Sequence, residues 1–226
     1  MKQGGSDAAK RAAGESAAEA VEDGMVVGLG TGSTAAYAIR AIGRAVDAGR
    51  DVVGVPTSFQ SRELAREAGI PLADLDDVSV DLAIDGADAV AGGDLIKGGG
   101  AAHTREKIVD ASADRFLVVA DPTKTTETLS QPVPVEVLAA GRTTVAGSVR
   151  ELDGEPTLRA ARCKDGPVVT DNGHLVLDCD FGTIDEPAAL GAALSGLPGV
   201  VEHGLFVGLA DAVHVGSEDG VTVREL

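Results

Sequence analysis

The stretch "MVVGLGTGSTAAYAIRAIGRAVDAG" (25–49) decides how the chain folds. It opens as a short apolar strand, runs into Gly28, Gly30 and Gly32, and continues with apolar residues at helical spacing until Gly49 stops it. The same grammar then repeats. "DVVGV" (51–55) predicts a second strand, and "TSFQSRELAREAG" after Pro56 predicts a helix ending at Gly69. "VDLAIDGAD" (80–88) predicts a strand ending in a turn. "TREKIVDASA" predicts a helix with Thr104 as its N-cap, and "RFLVVAD" (115–121) another buried strand. Upstream, the alanine-rich residues 7–22 predict a helix closed by Asp23-Gly24. Strand–helix alternation of this kind argues for an α/β architecture: a doubly wound, mostly parallel, Rossmann-like sheet. Such sheets bind ligands beyond the carboxyl ends of their strands. The unusual residues fall there, at 28–34, 56–58, 85–88 and 121–124.

After Gln131 the order changes. "PVEVLA", "TVAGSVREL", "TLRAA", "HLVLDCDF", "PAALGAALS" and "GVVEHGLF" read as strand, helix, strand, strand, helix, strand. That is the order of a βαββαβ, ferredoxin-like α+β module. The ending "AVHVGSEDGVTVREL" predicts a hairpin turning at Glu218, Asp219 and Gly220 that completes the first sheet. The expected division is therefore 1–130 plus 207–226 for the catalytic α/β domain and 131–206 for the ferredoxin-like domain.

Composition bounds the function. The 226 residues are 44% hydrophobic but only 2% aromatic, so the core is built from Val, Leu, Ile and Ala. The net charge of −17 removes the basic footprint that a nucleic acid needs. No apolar run is long enough to span a bilayer, and the first residues carry no apolar signal region. Two cysteines, Cys163 and Cys179, are too few for a disulfide framework and lack metal-site spacing. A cytoplasmic protein without membrane or nucleic-acid partners fits these facts. The acids are scattered rather than blocked into a tail. They form a solubilising surface, of the kind that a salty, halophile-like cytosol would screen.

Three motifs carry chemistry. In "GLGTGST", glycines expose backbone N–H groups, Ser33 and Thr34 add hydroxyls, and a helix begins, which together suit a phosphate. The same pattern also serves as a plain strand-to-helix turn. It is a poor dinucleotide fingerprint, since Ser33 stands where a third glycine belongs and Val55 leads to Pro56 rather than to an acid. "DGAD" sets Asp85 at a strand end and Asp88 three residues on, which suits sugar hydroxyls or proton handling, or an ordinary Asx-turn. The four histidines are scattered, so no metal site is expected. Finally, "LIKGGGAAHTREKIV" (95–109) puts Lys97, three bare glycines and Glu106 together. A capped helix accounts for the acid, but not for a lysine beside three glycines.

Taken in order, "GLGTGSTA", "PTSFQS", "DGAD", "KGGGAAHTREKIV", "ADPTK" and "VVTDNGHLVLD" resemble the type A ribose-5-phosphate isomerases over nearly the whole chain. The resemblance implies reversible aldose–ketose isomerisation of D-ribose 5-phosphate to D-ribulose 5-phosphate in the non-oxidative pentose phosphate pathway. It implies no cofactor and no metal, a pentose phosphate as the small-molecule partner, and a homodimer or homotetramer. It makes Glu106 the catalytic base. It lines the substrate with Thr31, Gly32, Ser33, Thr34, Asp85, Gly86, Ala87, Asp88, Lys97, Gly98, Gly99, Gly100 and Lys124, and sets Lys10 near the phosphate. Two positions depart from the family: Ala89 stands where an acid often follows "DGAD", and His103 where an apolar residue is common.

The chemistry agrees with that assignment. One carboxylate can move a proton between adjacent carbons if it reaches both. Lys97 and backbone amides would steady the enediolate oxygens, and Asp85 would help open the furanose ring. The phosphate supplies remote binding energy. A catalytically silent sugar-phosphate sensor on the same scaffold is the competing expectation, and Lys97 with Glu106 together favour the enzyme. A nicotinamide oxidoreductase is disfavoured by Ser33 and the missing acid.

Overall fold

The structure is a computed structural model that describes residues 5–226. In chain order its elements begin with α1 (Asp7–Ala18), β1 (Met25–Leu29), α2 (Ala35–Asp47), β2 (Val52–Pro56) and α3 (Phe59–Glu67). There follow β3 (Val80–Gly86), β4 (Ala89–Ala91), β5 (Asp94–Ile96), α4 (His103–Ser112) and β6 (Ala113–Ala120). Next come β7 (Val133–Val137), α5 (Arg142–Glu151), β8 (Glu155–Leu158), β9 (Leu175–Asp180) and α6 (Pro187–Ser195). The chain ends with β10 (Val200–His203), β11 (Leu205–Phe206), β12 (Ala212–Ser217) and β13 (Gly220–Glu225).

The chain divides into two compact units, Met1–Ala87 with Arg105–Thr125 and Gly208–Leu226, and Asp88–Thr104 with Thr126–Val207. The segment Asp88–Thr104, read from sequence with the larger unit, thus groups with the smaller one. In the larger unit six strands run in the order β13-β12-β6-β3-β1-β2. All neighbours are parallel except the β12–β13 hairpin, which closes the sheet as the sequence predicts. The order reverses direction between β1 and β3. There the chain leaves β1 toward β2 on one side and continues from β3 toward β6 on the other. Loops that diverge at such a switch point open a crevice at the strand ends.

Side-chain alternation decides which helix covers which face. Val27 and Leu29 of β1 join the core of Ala13, Ala38, Ile39, Ile42 and Ala65 from α1, α2 and α3. On the other face, a Cβ at Gly28 would stand 2.7 Å from Val109 of α4, so that helix lies almost against the strand. Helix α2 buries Ala35, Ala38, Ile39, Ile42 and Gly43, the stripe expected of a period near 3.6. Helix α3 starts with a reciprocal cap in which Ser58 Oγ accepts from Ser61 N and Ser61 Oγ from Ser58 N, both at 3.1 Å. Helix α1 ends a turn earlier than its alanine pattern suggests. Arg50 donates to Val21 O at 2.6 Å and Gly24 N to Asp51 O at 2.7 Å, drawing the chain away toward the start of β2.

In the smaller unit β7, α5, β8, β9, α6 and β10 form the predicted βαββαβ module, and its antiparallel sheet runs β10-β7-β9-β8. Its core packs Val133, Val135, Val137, Val145, Val149, Leu177, Cys179 and Leu194. A second small sheet, β11-β5-β4, was not foreseen. Strands of two or three residues show no periodicity, and β11 comes from a distant part of the chain.

Candidate active site

The glycine loop after β1 is built against the end of β3. Asp85 is fully buried, and its Oδ1 accepts from Thr31 N at 2.9 Å and Gly86 N at 2.6 Å. Gly30 donates its amide to Ile84 O at 3.0 Å, and a Cβ there would come within 2.5 Å of Asp85 Cα. Only a glycine lets β1 and β3 approach so closely. Thr31 Oγ1 meets Thr57 Oγ1 at 2.9 Å and donates to Ser58 Oγ at 2.7 Å, while Thr57 donates on to Leu29 O. Gly32 turns the chain with φ of +114° and open space around it, Ser33 is exposed, and Thr34 is buried without a side-chain capping bond. Thr57 and Ser58 were not among the expected site residues. Their signal was a pair of hydroxyls directly after the second parallel strand, the neighbour of β1.

The larger unit holds three further expected residues, Glu106, Lys124 and Lys10. Glu106 lies in the first turn of α4 and is 4% exposed, so its carboxylate is withdrawn from bulk water. Asp121, at the end of β6, accepts from Thr123 N at 2.9 Å and Thr123 Oγ1 at 2.5 Å. Burial pushes its carboxyl up, but the Thr123 hydroxyl, the Gly5 and Thr123 amides and the Lys124 charge outweigh it and hold it below the usual carboxylate range. Lys124, half-buried, closes the short helical turn that Asp121 starts. Lys10 sits on α1, one turn before Gly14, where a Cβ would stand 2.8 Å from Thr34 O. Helix α1 therefore passes the end of the glycine loop at Thr34.

The smaller unit contributes the second group. Asp88 Oδ2 accepts from Gly99 N at 2.6 Å, which ties the end of "DGAD" to the triple-glycine loop. Ala87 is half-buried just before it. Lys97 is 2% exposed, its N–H donates to Gly204 O at 2.8 Å, and its Nζ stands 5.3 Å from the centre of the Phe206 ring. Gly98 has φ of +103°, and a Cβ would strike His103 at 2.7 Å. Gly99 and Gly100 are exposed. Arg159 forks onto the Asp178 carboxylate and reaches Gly98 O at 2.8 Å and Gly99 O at 3.3 Å. This brace on the glycine loop is invisible in sequence.

One expectation needs correcting. Thr104 is not the N-cap of α4, because the helix begins at His103. Its hydroxyl is instead committed to Glu136.

Ser195, His203 and Glu202 lie close together, yet they form no hydrolytic triad. The Leu205 amide donates to His203 Nδ1 at 3.2 Å, so the proton sits on Nε2, the nitrogen 3.1 Å from Ser195 Oγ. That nitrogen is no base for the serine.

A parallel sheet with hydroxyl- and carboxylate-bearing loops at its switch point, joined to a βαββαβ module, defines an α/β enzyme of the kind that works at strand carboxyl ends. The chain belongs to the ribose 5-phosphate isomerase A (phosphoriboisomerase A) family, whose model matches residues 53–220. It is 80% identical over 226 residues to the ribose-5-phosphate isomerase A of Haloarcula marismortui, covering 100% of this chain and 99% of that one. Among solved structures it is similar to ribose 5-phosphate isomerase A from Methanocaldococcus jannaschii, with a TM-score of 0.92, 43% identity and coverage of 96% and 98%. A D-ribose-5-phosphate isomerase in complex with phospho-erythronic acid superposes with a TM-score of 0.94, 43% identity and coverage of 96% and 97%.

Proposed function

We propose that the protein interconverts D-ribose 5-phosphate and D-ribulose 5-phosphate through an enediolate. The observation that carries this is the 80% identity to a ribose-5-phosphate isomerase A along the entire chain. The buried carboxylate in the first turn of α4 supplies the chemical counterpart. Glu106 takes the proton from C2 of the open-chain aldose and returns it to C1, while the proton on O2 is lost and O1 gains one. Lys97 and the amides of the triple-glycine loop steady the charge on those oxygens. Asp85 assists ring opening, held in place by the Thr31 and Gly86 amides. The loop at 31–34, with Lys124 and Lys10, takes the phosphate. That phospho-erythronic acid, a phosphorylated sugar acid, binds a related isomerase supports this reading.

The test is incubation of purified protein with ribose 5-phosphate and EDTA at molar KCl, following ketose. Glu106→Gln should lower turnover by about a hundred- to ten-thousand-fold, the usual worth of a general base, with sugar-phosphate binding largely kept. Wild-type turnover in that variant would remove Glu106 from the mechanism. We further infer a cytoplasmic homodimer or homotetramer whose net charge of −17 requires salt. Light scattering reads the first inference. A melting temperature that fails to rise from low to molar KCl refutes the second.

A further inference from the structure

Glu136 is the fourth residue of β7 and projects from the face opposite Val133, Val135 and Val137, which join the core of the smaller unit. It is 0% exposed. A carboxylate survives such burial only where donors meet it. Three do, and all are neutral. Thr104 Oγ1 donates to Oε2, Thr170 Oγ1 to Oε1 at 2.7 Å, and Asn172 Nδ2 to Oε1 at 3.1 Å. The direction at Thr170 is settled by its neighbours. Its oxygen already accepts from Asn172 N at 3.2 Å and His174 N at 3.1 Å, so its proton belongs to Glu136. The turn at 170–174 lies within "VVTDNGHLVLD" (168–178), a motif with no part in the chemistry above.

We propose that Glu136 and Thr104 form a positioning pair, in which the buried carboxylate anchors the first turn of α4 and thereby aims Glu106. Thr104 and Glu106 share that turn, two residues apart, or about 200° around the helix axis. A tether on Thr104 therefore fixes the rotation of the helix, and with it the direction in which Glu106 projects on the far side. The Thr170 turn serves as the rigid post that holds the carboxylate, which is why its hydroxyl is saturated by three hydrogen bonds. Displacements near 1 Å at a catalytic group can cost about a hundredfold in rate. The inference rests on Glu106 acting as the base.

The test compares Thr104→Val, Thr104→Ser and Glu136→Gln in the full chain. It reads kcat and KM with ribose 5-phosphate, melting temperature, and amide hydrogen exchange at 105–107. Thr104→Val, which keeps the shape and loses the donor, should lower kcat about ten- to a hundredfold with KM within about twofold, and speed exchange at 105–107. Thr104→Ser should restore both, and Glu136→Gln should resemble Thr104→Val. A purely architectural bond would lower the melting temperature and leave kcat per folded molecule unchanged. That result, or a failure of serine to rescue, overturns the proposal. Should Glu136→Gln fail to fold, the threonine pair decides alone. Should the wild type show no isomerisation, the functional reading fails, and unchanged exchange in Thr104→Val would separately refute the tether.

Discussion

Replacing Gly30 with alanine tests the central contact of the larger unit. The added Cβ would lie 2.5 Å from Asp85 Cα and closer still to its carboxyl group. Non-bonded carbons rest at about 3.5–4.0 Å, so the strain cannot be absorbed by a rotamer change against a backbone atom. Either the ends of β1 and β3 part, breaking the Gly30–Ile84 hydrogen bond, or Asp85 turns away and releases the Thr31 and Gly86 amides. Overpacking costs about 1–3 kcal/mol, and a hydrogen bond to a charged group about 1.5–3 kcal/mol. The sum is about 2.5–6 kcal/mol, which in a chain of this size lowers the melting temperature by roughly 5–24 °C. Scanning calorimetry in molar KCl reads that shift, and isomerase assays at a temperature where the variant is folded read the loss of Asp85. Gly43→Ala is the control. Its Cβ would meet Ala68 O at 2.6 Å, wedging α2 from α3 without touching any strand-end loop. It should destabilise while keeping kcat per folded molecule. A Gly30→Ala protein that melts within about 2 °C of wild type and turns over normally would refute the reasoning.

Other perturbations have equally definite outcomes. Arg159→Met should raise KM several-fold and speed amide exchange at 97–101, and Arg159→Lys should not rescue, because an ammonium cannot fork between Asp178 and the Gly98 and Gly99 carbonyls. Burial and the Arg115 charge hold the His214 imidazole below its ordinary value, against the opposing pull of Glu225 and Glu19. The unfolded chain therefore binds the proton more readily, so stability is full above the unfolded value of 6.5 and declines as pH falls below it. His214→Asn should flatten the melting temperature between about pH 7.5 and about pH 5.5, and a slope equal to wild type would contradict this. Burial and the neighbouring Asp178 push the Cys179 thiol up to about 12, whereas Cys163 is exposed. Mass spectrometry should find one carbamidomethyl group on the native protein and two after unfolding; native double labelling would contradict the burial of Cys179.

Much of this protein was written locally. The strand, glycine turn and helix of 25–49, the helix that ends at Gly69, the βαββαβ order after Gln131 and the closing hairpin all follow from period, turn chemistry and stop signals. Each involves neighbours in sequence and needs no partner. The glycine-rich loops could be singled out on the same grounds, because a bare backbone beside charge has few other uses. Glu106 stood out only through the family resemblance, since a capped helix accounts for an acid at that place. The tertiary structure alone decided that Asp85 braces Thr31, that Thr57 and Ser58 join that loop, that Arg159 clamps Gly98, and that Thr104 faces Glu136 instead of capping its helix. A glutamate in "PVEV" reads as a solvent-facing residue of an ordinary strand. Its burial depends on donors from two other segments of the chain, and no local pattern encodes such a meeting. Periodicity reports which face a residue occupies, whereas a buried polar contact exists only once several faces have closed upon it.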